Sequence, residues 1–133
     1  MADLRYYALA RIAAKISVDL HTAGATKLYT TVVPYTHVTH IVIRKMTDSL
    51  VGCNDVNFGA NAADYNDWRD AVDLVALTGG AEYYGVIGAT VDGNPAQYKR
   101  YPVGTDFYAN VVSGATADPC TATIEIYGFF TTT

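Results

Sequence analysis

Three histidines, two cysteines, three serines and thirteen carboxylates are the side chains of this chain from which a metal site or a reaction centre could be assembled. A metal ion needs ligands converging from one face. His37 and His40 are three residues apart, a spacing that shares a face on a helix and takes opposite faces on a regular strand. Their neighbours Val38, Thr39, Ile41, Val42 and Ile43 are β-branched and predict a strand, so no metal is expected there. Cys53 and Cys120 lack the C-x-x-C spacing of a zinc ligand pair and read as separate buried thiols. Asn54-Asp55-Val56-Asn57-Phe58-Gly59 and the following Asn61, Asp64, Asn66, Asp67 and Asp70 supply oxygen atoms in the number calcium takes. Their spacing misses the D-x-[DN]-x-[DN]-G-x5-E loop, so turn capping is the expected use of these side chains. Ser17, Ser49 and Ser113 lie outside any G-x-S-x-G elbow, and no motif selects a carboxylate pair. Gly79-Gly80 with Gly85 and Gly88 does not make G-x-G-x-x-G. No catalytic residue and no cofactor is expected, and the chain does not read as an enzyme.

The elements that must position these groups are strands. Thr-, Val- and Tyr-rich segments are predicted at residues 15–20, 26–33, 37–46, 50–59, 68–76, 82–91, 97–102, 105–112 and 120–130, separated by turn residues. Pro34 ends the second because it has no N–H for a ladder. Thr78-Gly79-Gly80 is a break, and Asp92-Gly93-Asn94-Pro95 is the strongest hairpin signal. In the last strand Ala122, Ile124, Ile126 and Gly128 alternate with Thr123, Glu125, Tyr127 and Phe129; Phe107, Ala109 and Val111 alternate with Tyr108, Asn110 and Val112. Short strands at about 10-residue spacing, with no βαβ rhythm, predict an all-β fold. It is a single antiparallel two-sheet sandwich, jelly-roll-like, over residues 15–133. Residues 1–14 are expected to form a short arm or helix ahead of it, because Leu4, Ala8 and Ile12 recur at helical spacing.

At 133 residues the chain fits one domain, and no apolar run reaches the ~20 residues a membrane-spanning helix needs. Met1-Ala2-Asp3-Leu4-Arg5 does not begin a signal peptide, so synthesis in a cytoplasm is expected. The net charge of −4 argues against nucleic acid as a partner. Its distribution is uneven: residues 1–45 carry six basic and two acidic side chains, residues 46–95 one basic and eight acidic. Opposite charges so separated either balance within one copy or attract between copies.

Eleven tyrosines and one tryptophan are the strongest positive signal. Adjacent rings on a strand, as in Tyr83-Tyr84, must point to opposite faces, so some rings are expected outside the core, where Tyr and Trp favour protein contact. The same rings could instead make cross-strand pairs or stack on a sugar.

The run from Ser17 to Thr30 (SVDLHTAGATKLYT), Val33-Pro34, the segment from Thr39 to Arg44 (THIVIR), the block from Phe58 to Asp67 (FGANAADYND) and the ending from Ala122 to Gly128 (ATIEIYG) resemble small β-sandwich proteins common in tailed-bacteriophage genomes. The likeness covers about residues 16–128 and consists of strand and turn patterns. It implies a virion component, most specifically a capsid decoration (cement) protein on the outer capsid surface. Its partners would be further copies of itself, in a homotrimer or similar assembly, and the major capsid protein. Leu4, Tyr6, Tyr7, Leu9 and Ile12 of the arm, and Trp68, Tyr83, Tyr84, Tyr98 and Tyr101 of the sandwich, are then the expected contact residues. A receptor- or carbohydrate-binding module that recognises a surface glycan is the alternative.

Overall fold

The computed structural model describes residues 10–77, 80–87 and 99–133. Among them are nine strands: β1 (Ala10–Asp19), β2 (Gly24–Thr30), β3 (Tyr35–Arg44), β4 (Asp55–Gly59), β5 (Arg69–Val72), β6 (Tyr83–Val86), β7 (Lys99–Pro102), β8 (Asp106–Ser113) and β9 (Thr121–Thr131). They form two antiparallel sheets packed face to face. One runs β1-β9-β3-β6, with β7 also paired to β3; the other runs β2-β8-β4-β5. β6 pairs with His40 to Ile43 and β7 with Tyr35 to Val38, so the two occupy one lane of the sheet end to end. Counting that lane once leaves eight lanes among the described strands, and every successive pair of lanes except β4 and β5 lies in opposite sheets, which is the order of a jelly roll.

The core forms where the predicted alternation puts it. Ala122, Ile124 and Ile126 of β9 and Phe107, Ala109 and Val111 of β8 face each other across the sandwich, joined by Ile41 and Ile43 of β3 and Phe58 of β4, all 0–3% exposed. Gly128 continues the inward row of β9 at a point where β3 comes too close for a side chain. A Cβ there would collide with the carbonyl oxygen of His37.

Expected strand boundaries shift by several residues, the starts of β1 and β4 by five each. β1 begins at Ala10, so residues 10–14 are sheet rather than arm: they pair with β9 from Glu125 to Gly128, and Ile12 packs against the core. Pairing with a formed strand outweighs a helical periodicity too short to nucleate on its own. β4 begins at Asp55, five residues later than expected. Residues 50–53 instead close a turn, with Cys53 N–H donating to Leu50 O at 2.9 Å. The expected hairpin at residues 92–95 and the break at residues 78–79 lie outside the described residues.

β1 and β2 lie side by side and form one lateral edge of the sandwich. β5 forms the opposite edge together with β6 and β7. There the Arg69 side chain reaches Val86 O at 3.5 Å and Trp68 reaches Tyr101.

Candidate functional site

The outer face of the larger sheet gathers His37, His40 and the buried Glu125. For the histidines a bulge in β3 decides this. The register shifts between Val38 and His40, so His37 stands opposite Phe129 and His40 opposite Tyr127. Tyr127 and Phe129 are two apart on β9 and share a face, so the two histidines share it as well. Their expected placement on opposite faces is thereby corrected; the extra residue, Thr39, restores to a strand the convergence that a regular strand denies.

Each imidazole stacks on a ring of β9 and meets a threonine hydroxyl. His40 stacks on Tyr127 (centroids 4.8 Å apart, planes 5° apart) and meets Tyr84 of β6 at 4.8 Å, with its Nδ1 3.0 Å from Thr39 Oγ1. His37 stacks on Phe129 at 4.4 Å and 11°, with Nε2 2.7 Å from Thr131 Oγ1. Arg100 of β7, the register partner of His37, lies over the Tyr35 ring at 4.5 Å. Burial pulls the pKa of both histidines below the ordinary 6.5, and at His37 the positive charge of Arg100 adds to the effect.

That shift has a definite consequence for stability. Both imidazoles are neutral in the fold, so the unfolded chain takes up their protons first. Their protonation costs nothing well above pH 6.5 and lowers stability as the pH falls through 6.5 toward their depressed folded values. The urea midpoint is expected to be flat from pH 8 to about 7 and to fall between about 7 and 5. His40→Gln is expected to flatten that slope; an unchanged slope in this variant would rule His40 out as its source.

Farther along the same face, Glu125 of β9 is 1% exposed although it points away from the core. Arg11 of β1 and Arg44 of β3 close over it from the two neighbouring strands. Arg11 Nη1 donates to Oε2 at 2.8 Å and Arg44 Nη2 donates to the same oxygen at 3.0 Å. Arg44 Nε is 2.9 Å from Oε1, an ion-pair contact without hydrogen-bond alignment. The buried carboxylate is paired, as its desolvation requires.

The other expected contact residues divide. Tyr84 is 61% exposed on this outer face. Tyr83, its neighbour, turns inward and packs against the core. Trp68 is 2% exposed and is a core residue, which corrects its expected place at the surface. Its ring meets Phe107 edge-on at 4.7 Å, and its Nε1–H donates to the Tyr101 hydroxyl at 2.6 Å. That hydroxyl donates to Asp67 Oδ2 at 2.7 Å, and Asp67 Oδ1 accepts from Ala60 N–H at 2.7 Å. Burial, reinforced by Asp67, pushes the Tyr101 phenol well above its ordinary pKa and keeps it protonated as the donor in this chain. Leu4, Tyr6, Tyr7, Leu9 and Tyr98 lie outside the described residues.

The oxygen-rich segment is wired into its own turns. Asn61 Oδ1 accepts from the backbone N–H of Asn66 (2.8 Å) and of Asp67 (2.9 Å). Asn57 Oδ1 accepts from Ala71 N–H at 2.8 Å, and its Nδ2 donates to Asp64 O at 3.3 Å. Among the described residues no group of three or more His, Cys, Asp or Glu side chains is arranged to hold a metal ion. Cys53 and Cys120 are free and buried, and burial pushes the Cys53 thiol up to about 11. Both thiols are expected to resist an aromatic disulfide reagent at pH 8 in the folded protein and to react within seconds in denaturant, followed by absorbance. Fast reaction without denaturant would mean that the Cys53 end of the sandwich opens.

Glu125 is the residue sequence reasoning missed. Its place in the alternation marks it as outward-facing, which is correct, and outward-facing residues are ordinarily solvated. Its cations are 114 and 81 residues away in the chain. No local signal reports such a pair.

No family model matches this sequence, and no curated protein or solved structure matches it. What the fold and this face define is a jelly-roll β-sandwich in which Glu125, His37 and His40 tie strand to strand.

Proposed function

We propose that this chain is a non-enzymatic structural protein of a tailed-phage particle, a capsid decoration protein that bridges and stabilises shell subunits. The reading is supported by the way the fold spends its reactive side chains. Glu125, Asp67, Tyr101, Trp68, His37 and His40 are each committed to a contact between strands or loops. Large apolar or aromatic groups are also left outward: Tyr84 at 61% exposure on the sheet face, and Val32 and Val103 at 72% and 60% on adjoining turns at one end. Those turns are tied together by Thr31 N–H to Thr105 O and Gly104 N–H to Thr31 O, both 2.9 Å. Aromatic and aliphatic side chains on a rigid scaffold suit protein–protein contact, and many weak contacts summed over a shell hold it by multivalency. The likeness in strand and turn pattern to small phage sandwich proteins points the same way.

The receptor- or glycan-binding reading rests on one observation: the Tyr84 ring is exposed beside the stacked His40 and could take a sugar face. Copy number separates the two. Quantitative mass spectrometry of purified particles is expected to find this chain in hundreds of copies, comparable with the major capsid protein. A handful of copies, with binding on a glycan array that is lost in Tyr84→Ala, would favour the alternative. Absence from the particle would overturn both.

A further inference from the structure

Side chains from three strands contact the His40 ring. Tyr127 of β9 stacks on it, Thr39 of its own strand meets its Nδ1, and Tyr84 of β6 lies 4.8 Å away with its plane tilted by 37°. The Thr39 hydroxyl donates its proton to Tyr127 O at 3.2 Å, so it accepts from His40 Nδ1–H, and the neutral ring carries its proton there. A second proton goes to Nε2 and brings a full charge into a place that is 9% exposed. Among the described residues no carboxylate lies against the ring to meet that charge. On β9 the nearest acid is Glu125, which stands opposite Val42 and is held by Arg11 of β1 and Arg44 of β3. On the β6 side Glu82 precedes Tyr84, the partner of Val42, by two residues and so lies away from His40. Two further neighbours are positive. Arg69 of β5 reaches the carbonyl of Val86, the register partner of His40, and Arg100 of β7 pairs in register with His37. Burial depresses the pKa of His40, and no acid offsets it.

We propose that β6 is an acid-labile edge strand: when His40 takes up its second proton, β6 separates from β3 while the rest of the sandwich stays folded. A buried imidazolium without a counter-charge is stabilised by water, and water reaches it where a neighbour gives way. Tyr127 is not that neighbour, because β9 around it is paired with β1 on one side and with β3 on the other. β6 is. It is four residues long, pairs with His40 to Ile43 alone, and ends the sheet among the described strands. Beyond that ladder it is tied by Ile87 N–H to Thr39 O at 2.9 Å and by the Arg69 contact. Its inner side holds it shut at neutral pH, since Tyr83 packs against the core and Ile87, just past the strand, is buried. Short edge elements lie at the low end of the local stability range. The direction follows from linkage. The open form binds the proton near the ordinary 6.5 and the closed form only below it, so the open population grows as the pH falls through 6.5. Opening uncovers the His40–Ile43 edge of β3, whose backbone groups can then pair with a strand of another chain. None of this depends on which particle or surface the protein serves.

The test is hydrogen exchange of the full chain, read by mass spectrometry at about pH 7.5 and about pH 5.5 with labelling times scaled to the intrinsic rates. Peptides covering Tyr83 to Ile87 are expected to lose protection about fivefold or more at the lower pH, within the limit of about tenfold per pH unit that one proton allows. Peptides from β8 and from the β1–β9 ladder are expected to keep theirs. His40→Gln, which takes up no proton, is expected to keep β6 closed at both values, and His37→Gln to open as the wild type does. If His40→Gln does not fold, NMR titration of the wild type decides: the β6 amide signals are expected to change in step with the His40 ring C–H. Protection of β6 that ignores pH, that falls together with β8 and β9, or that falls equally in His40→Gln overturns the proposal. So does opening that follows the titration of another histidine.

Discussion

Trp68→Ala is expected to lower the free energy of unfolding by about 3–5 kcal/mol, the largest single-residue effect on this sandwich. Two losses combine. The indole fills the gap between the Phe107 and Tyr101 rings, at 4.7 and 6.2 Å, and the neighbouring strands cannot collapse into the space without breaking register. Its Nε1–H is also the donor to the Tyr101 hydroxyl, which in turn holds Asp67 and through it the β4–β5 loop. Tyr101→Phe isolates the second part: it keeps the ring and removes the hydroxyl, leaving an indole N–H and a carboxylate oxygen unpaired, at about 1–3 kcal/mol. Tyr84→Ala is the control. It removes a ring of similar size that is 61% exposed, and a change of about 1 kcal/mol or less is expected. Urea denaturation of the three variants measures the order directly. If Tyr84→Ala proved as costly as Trp68→Ala, the division of rings between core and surface described above would be wrong.

At Glu125 removing a partner is expected to cost more than removing the acid itself. Arg44→Leu leaves a carboxylate that is 1% exposed with Arg11 as its remaining cation and Oε1 without a counter-charge, and about 2–3 kcal/mol of stability is expected to go. Removing Arg11 as well is expected to be worse still. Glu125→Leu takes away the buried charge and frees two arginines whose side chains are already 53% and 33% exposed and can turn to water. Its expected cost is about 1 kcal/mol or less. The asymmetry follows from where the charges sit: a stranded anion inside the face cannot reach solvent, and a stranded guanidinium at its rim can. Equal losses in the two variants, read from chemical denaturation at pH 7, would mean that water reaches Glu125.

Much of the architecture was legible because strands advertise themselves locally. The period-two alternation of β8 and β9 placed Phe107, Ala109, Val111, Ile124 and Ile126 inside before any contact was known, and all are buried. The spacing of turn residues was enough to indicate a sandwich. The aromatic residues were harder to read. Composition alone could not say which of Trp68, Tyr83, Tyr84 and Tyr101 face outward, because Trp68 and Tyr101 are sequestered by Phe107 and Asp67, which sit on another strand and in a loop. The start of β1 was missed for a related reason: residues 10–14 have a helical rhythm of their own and become strand only because β9 offers a ladder to pair with.

By itself, then, the order of residues determined which side of each strand is apolar, where the chain turns, and that basic residues precede acidic ones. Those properties depend on groups within a few positions of one another. Tertiary structure alone decided two things. It set the bulge at Thr39 that puts His37 and His40 on one face, and it brought in the two arginines that bury Glu125. Each depends on contacts between residues some 80 to 115 positions apart or on the packing of whole strands, which local sequence does not encode.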